Sequence, residues 1–176
     1  MAKLTRARFV ERIQSIKLLA IDVDGVLTDD TIFFGPDGAE FKKFNVSDGF
    51  YMVMAMRRGL EVAIVSGRYS AATESRMKDL GVTHVLQAKQ DKVEMITPLL
   101  EKLGIGFDEV AFIGNEILDI TLARKAGLSI AVADSSPDLI DEVDYVTDKN
   151  GGRGAVREVI ECYFEAIGFD PKELVT

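Results

Sequence analysis

Along the middle of the chain one phrase recurs: a stretch with apolar residues at helical spacing ends in a glycine, and a short, almost wholly apolar run follows. Gly59 precedes the run 62–65, Gly81 precedes 83–86, Gly104 precedes 110–113 and Gly127 precedes 128–132. The runs lack polar alternation and are too short for helices, so they read as strands covered on both faces. Each glycine suits the left-handed position that ends a helix. The intervening segments place Phe50, Val53 and Met54, then Val93, Ile96, Leu100 and Leu103, then Ile117, Ile120 and Ala123 at helical spacing. Pro98, inside the second, is expected to kink or split its helix, because it removes a backbone donor and crowds the preceding turn. With the apolar run 18–21 as a further buried strand, the alternation predicts an α/β fold, a three-layer doubly wound parallel sheet.

Two segments depart from the phrase. Residues 31–34, the turn-rich Gly35, Pro36, Asp37 and Gly38, and residues 40–44 predict a β-hairpin within 31–45. Its phenylalanines, Phe33, Phe34, Phe41 and Phe44, are too many for a solvated ribbon, and a lone two-stranded hairpin is marginal in water. The hairpin is therefore expected to pack on its own domain or on another subunit. At the start, Phe9, Val10, Ile13 and Ile16 fall at helical spacing and predict a leading amphipathic helix within 1–16, docked on the domain. The remainder, 149–176, reads as a glycine-rich arm followed by a helix. All of it fits one domain, 1–176.

Composition narrows the class. A chain of 176 residues with 47% hydrophobic content can bury one sizeable core. A net charge of −8 leaves no basic stripe for nucleic acid, although a metal ion and a few local cations could still neutralise a phosphorylated ligand. Cys162, alone in the chain, cannot form an internal disulfide and falls among apolar helical positions, where a buried structural thiol is expected. No signal-like segment or long apolar run appears, so a cytoplasmic location and no membrane partner are expected.

Candidate chemistry collects at strand ends. DVDGVLTD, residues 22–29, follows the first buried run; Ser66, Gly67 and Arg68 follow the second; Lys92 opens the helix after the third; and GNEILD, residues 114–119, follows the fourth. In open α/β sheets ligands bind beyond the carboxyl ends of the strands, so four separated segments converge on one edge. Together they resemble the haloacid dehalogenase superfamily of aspartate-nucleophile phosphatases. The resemblance implies Asp22 as nucleophile and Asp24 as the acid that protonates the leaving oxygen and then the base that activates water. Two carboxylates would repel a phosphate, so a hard cation is required, and Mg²⁺ held by Asp22, Asp24 and Asn115 fits. Ser66 and the backbone amide at Gly67 would hold phosphoryl oxygens, Arg68 would bind the substrate, and Lys92 would supply fixed positive charge. At the fourth segment the chain departs from the superfamily pattern GDDxxD: Asn115 stands where the first acid would be. A neutral carbonyl oxygen replaces an anion there, leaving Glu116 and Asp119 to restore negative charge around the metal.

The spacing also limits substrate control. Only roughly 25 residues lie between Ser66 and Lys92, enough for a helix and a strand and no inserted cap domain. From Leu18 onward the chain resembles the 3-deoxy-D-manno-octulosonate 8-phosphate phosphatase family, through DVDGVLTD, FNVSDG (44–49), VAIVSGR (62–68), GLSIAVADS (127–135) and GGRGAVREV (151–159). The resemblance implies hydrolysis of a phosphorylated sugar acid in lipopolysaccharide precursor synthesis, and a homotetramer with active sites near subunit interfaces. In it the hairpins meet centrally and Arg153 reaches a neighbouring site. The alternatives are a phosphatase for a nine-carbon sialic-acid-type 9-phosphate, and a weakly active or non-catalytic assembly domain in which Asn115 marks lost metal binding.

Overall fold

The computed structural model describes residues 3–175; residues 1, 2 and 176 of the expected leading and C-terminal segments lie outside the described residues. The strands are β1 (Leu18–Ile21), the hairpin pair β2 (Phe33–Phe34) and β3 (Glu40–Phe41), then β4 (Glu61–Ser66), β5 (His84–Gln87), β6 (Val110–Gly114), β7 (Leu128–Ala131) and β8 (Tyr145–Val146). The helices are α1 (Arg6–Ile13), α2 (Val46–Arg57), α3 (Ala71–Leu80), α4 (Lys92–Leu103), α5 (Ile120–Ala123), α6 (Pro137–Glu142) and α7 (Ala155–Ala166). Six parallel strands form one sheet in the order β5-β4-β1-β6-β7-β8, so the doubly wound α/β prediction holds.

Alternation along β1 divides the core. Leu19 and Ile21 face the layer holding Phe9 and Ile13 of α1, Met52 and Ala55 of α2, and Val156, Ile160 and Phe164 of α7. Leu18 and Ala20 face Met95, Ile96, Leu99 and Leu100 of α4, with Leu122 and Leu139 behind them. Cys162 is buried in α7, and burial pushes its thiol up to about 11.

Several local expectations change in the folded chain. Pro98 lies within α4, which runs unbroken from Lys92 to Leu103. Gly59, Gly81 and Gly104 have positive φ, but Gly127 does not; a Cβ there would lie 2.0 Å from the Asp108 carbonyl oxygen, so close backbone approach is what requires glycine. Phe50 is exposed, because α2 turns Met52, Met54 and Ala55 inward instead. The segment 117–123 is a 3₁₀ turn, Ile117–Asp119, followed by the four-residue α5. The hairpin is shorter than 31–45, with only Phe33 opposite Phe41 and Phe34 opposite Glu40. Phe33, Phe34 and Phe41 are exposed, whereas Phe44 packs on the core.

The glycine-rich stretch before α7 docks within its own chain. A Cβ on Gly151 would lie 1.7 Å from the Gly25 carbonyl oxygen, and one on Gly152 would meet the backbone of Thr28 and Asp29. The Gly152 amide donates to the Val26 carbonyl at 2.8 Å. The buried Asp48 accepts from the Gly154 and Arg157 amides at 3.3 and 2.7 Å, capping the start of α7.

Candidate active site

Asp22 follows β1 at the centre of the sheet, and its amide donates to the Ile113 carbonyl at 3.0 Å. Gly25 then turns the chain with φ +80°, and a Cβ there would lie 1.9 Å from the Asn115 side-chain nitrogen. Glycine is thus needed both for the turn and to admit Asn115. Ser66 ends β4, Gly67 and Arg68 follow it, and Lys92 begins α4 beside its N-cap Asp91. The segment after β6 brings in Asn115, Glu116 and Asp119.

These residues line one cavity of about 370 Å³, together with Asp30, Gln90 and Leu118. Asp22, Asp24, Ser66, Gly67, Arg68, Lys92, Asn115, Glu116 and Asp119 therefore come together as the sequence places them. Arg153 does not line it; its guanidinium lies on the surface, 3.4 Å from Asp29.

Lys92 organises the floor. Its buried ammonium lies 2.9 Å from Asp22 Oδ1 and makes a second short ion pair with Asp119. Asp119 also accepts, through Oδ2, from the amides of Asn115 at 2.8 Å and Glu116 at 3.1 Å, and so shapes the loop. A Cβ on Gly114 would lie 2.5 Å from the same oxygen, which explains the glycine. Burial pushes the Asp22 carboxyl up, Lys92 opposes this and Asp119 adds to it, leaving it at about 7. Burial also works against the charge on Lys92, but Asp22 and Asp119 together outweigh it and hold the lysine above its ordinary value. Lys92 is thus the fixed cation of this group, and Asp22 the member whose charge is costly.

Asp24 is engaged on both oxygens: Lys42 of the hairpin donates to Oδ1 at 2.6 Å, and Arg68 lies 3.4 Å from Oδ2. Arg68 is held in turn by Glu40 at 2.5 Å, and Glu40 accepts from the Ser70 hydroxyl at 2.7 Å. Lys42 and Glu40 were not legible as site residues, because they sit in an aromatic-rich hairpin whose local pattern signals packing.

Mg²⁺ takes oxygen ligands, one or two of them carboxylates. Among the described residues no three His, Cys, Asp or Glu side chains form a metal cluster, so a third oxygen must come from elsewhere. Asn115 offers one: its Oδ1 is buried and has no hydrogen-bond partner among the described residues. An unpartnered buried carbonyl oxygen in the cavity that Asp22 and Asp24 also line suits a hard cation, so the residues fit the ion. Glu116 is exposed and accepts from the Ile117 amide at 3.2 Å, at the rim of the cavity.

A parallel sheet with an aspartate pair at the mouth of its central strand, backed by a lysine and a second acid, defines a hydrolase of the haloacid dehalogenase type. Residues 82–160 match the family model of haloacid dehalogenase-like hydrolases. The 3-deoxy-D-manno-octulosonate 8-phosphate phosphatase of Escherichia coli strain K12 is 44% identical over 92% of this chain and 86% of its own. The crystal structure of the enzyme of that name from Moraxella catarrhalis, in complex with magnesium, phosphate and KDO, is 37% identical. It matches with a TM-score of 0.91 over 96% of this chain and 97% of the other. A cobalt-bound deoxy-D-mannose-octulosonate 8-phosphate phosphatase from Haemophilus influenzae matches at 34% identity and a TM-score of 0.85, covering 89% and 92% of the two chains. The chain belongs to the 3-deoxy-D-manno-octulosonate 8-phosphate phosphatase family of haloacid dehalogenase-like hydrolases, and is a phosphoric monoester hydrolase. Among the described residues no helix is long and apolar enough to cross a membrane.

Proposed function

We propose that this chain hydrolyses 3-deoxy-D-manno-octulosonate 8-phosphate to the free sugar acid and inorganic phosphate, with Mg²⁺ and through an aspartyl-phosphate on Asp22. The observation that carries the reading is the buried Asp22 carboxylate, held 2.9 Å from Lys92 in a cavity it shares with Asp24 and the unpartnered Asn115 oxygen. Asp22 and Asn115 would hold the ion through side-chain oxygens and Asp24 through its main-chain carbonyl, because its carboxylate is engaged by Lys42 and Arg68; the ion would supply positive charge to the phosphoryl oxygens.

Asp22 attacks phosphorus, and the bond to the sugar oxygen breaks with its electron pair passing to that oxygen. Asp24 delivers a proton there; in the second half it takes one from the water that attacks the acyl phosphate. Lys92 restrains the Asp22 carboxylate and, with the Ser66 hydroxyl and the Gly67 amide, faces the transferring oxygens. Asp119 fixes Lys92 and the loop carrying Asn115, while Glu116 and Arg68 line the entrance, where Arg68 meets the anionic substrate. A homotetramer would complete the substrate site: the exposure of Phe33, Phe34 and Phe41 in the single chain supports their burial by a second copy, and Arg153, on the surface beside Asp29, would approach a neighbour's site.

A phosphate-release assay over eight- and nine-carbon sugar-acid phosphates, with Mg²⁺ or with chelator, tests the reading. Release from the eight-carbon ester that depends on Mg²⁺ is expected. Preference for the nine-carbon ester would reassign the substrate, and no release from any ester would favour an assembly role.

A further inference from the structure

We propose that Lys42, on the hairpin, is a positioning residue for Asp24, holding its Oδ1 so that Oδ2 faces the cavity as the oxygen that exchanges protons. The proposal rests on the acid–base role given to Asp24 above.

The hairpin is otherwise exposed: Phe33, Phe34 and Phe41 retain 53%, 70% and 57% of their accessible surface. The Lys42 side chain retains 0%. An ammonium is not withdrawn from water without a partner, and here the partners are Asp24 Oδ1 at 2.6 Å and Glu40 Oε1 at 3.9 Å. Lys42 does not line the cavity, whereas Arg68, 3.4 Å from Asp24 Oδ2, does. The lysine thus approaches Asp24 from behind, leaving Oδ2 on the cavity side. A ladder of two residue pairs cannot by itself fix the hairpin. Side-chain ties do so: Lys42 to the loop after β1, and Glu40 to Arg68 and Ser70 after β4. Hairpin and proton-transfer group are therefore held in one frame.

Proton transfer requires the donor oxygen within hydrogen-bond reach of the ester oxygen as the P–O bond breaks. The proton passes from Asp24 Oδ2 to that oxygen, which keeps the bonding electron pair, and Lys42 gives up no proton. Removing Lys42 frees the carboxylate to rotate. An alkyl leaving group, which must be protonated, then suffers more than a nitrophenolate, which need not be.

The test compares the parent protein with Lys42→Met, Lys42→Gln, Lys42→Arg and Asp24→Asn on 3-deoxy-D-manno-octulosonate 8-phosphate and on 4-nitrophenyl phosphate at saturating Mg²⁺. Folding is checked by thermal unfolding, and Lys42→Gln replaces Lys42→Met if the apolar variant does not fold. General acid–base catalysis contributes about 10²–10⁴-fold, so Lys42→Met should lower kcat on the sugar ester by about 10²-fold. That loss should exceed the loss on the aryl ester by about tenfold or more, with KM changed less than about threefold and Lys42→Arg recovering most of it. Asp24→Asn should show the same bias. If Asp24→Asn discriminates between the esters while the Lys42 variants lose equally on both or lose nothing, the positioning role is overturned. If Asp24→Asn itself loses equally on both, the acid–base role falls and this proposal falls with it.

Discussion

Exchanging Asn115 for aspartate isolates the contribution of one negative charge to the metal site. Asn115 is 6% exposed, its amide donates to Asp119 Oδ2 at 2.8 Å, and its carbonyl accepts from the Ser136 amide at 2.8 Å. Both tethers are main-chain, so Asn115→Asp leaves the backbone anchored and changes the charge of an unpartnered oxygen while keeping its shape. A contact to an ionised group is worth about 1.5–3 kcal/mol against about 1 for a neutral one, so the gain in metal binding is about 0.5–2 kcal/mol. That is about 2- to 30-fold in the dissociation constant. In the metal-free protein the added charge has no cation of its own, since Lys92 is taken by Asp22 and Lys42 by Asp24, so the variant should unfold at lower temperature in chelator. Added Mg²⁺ should then stabilise it more than the parent, since stabilisation by a ligand grows with the ratio of its concentration to its dissociation constant. Calorimetric titration with Mg²⁺ and thermal unfolding across a Mg²⁺ series measure both quantities without relying on turnover. Identical dissociation constants for the two proteins would place Asn115 outside the ligand set and refute the assignment.

Asp22→Asn should abolish hydrolysis while retaining or raising the unfolding temperature, because a neutral amide is easier to bury than a carboxylate; turnover within about tenfold of the parent would refute Asp22 as nucleophile. Serine at both Phe33 and Phe41 should shift light scattering toward smaller species: full burial of each ring is worth about 1.5–3 kcal/mol, and roughly half of that surface is still exposed in the single chain. Unchanged mass would overturn the proposed role of the hairpin in assembly. At the opposite edge, burial raises the Asp144 pKa, but the Ser129 amide and hydroxyl and Arg12 outweigh it and hold the carboxyl below its ordinary 3.8. Its stabilisation is therefore present above that value and lost as pH falls through the lower folded one. Asp144→Asn should cost about 1–2 kcal/mol at pH 7 in denaturant unfolding, with the gap closing below about pH 4; a gap independent of pH would contradict the ion-pair account.

What the sequence determined by itself was whatever repeats on a short period. Runs such as 18–21, 110–113 and 128–132 are apolar because both faces of the sheet are covered, and this alone predicts buried parallel strands. The residues that follow such runs must emerge at the carboxyl edge, so Asp22, Ser66, Lys92 and Asn115 are legible as one constellation in the sequence alone. The tertiary structure decided what depends on partners distant in the chain. The pairing of Lys42 with Asp24 spans 18 residues and leaves no periodic trace, and nothing local distinguishes Lys42 from the exposed Lys43 beside it. Phe50 keeps the helical spacing of its neighbours yet faces outward, since the face a helix buries is chosen by the helices it meets. Pro98 sits inside a continuous α4, where packing of Met95, Ile96, Leu99 and Leu100 outweighs one missing hydrogen bond. Gly127 and Gly151 show the same division: their positions are visible in the chain, but the carbonyls of Asp108 and Gly25 that forbid a side chain there arrive only with the fold. Periodicity encodes burial along an element, whereas contact between elements is set by the geometry in which the chain closes on itself.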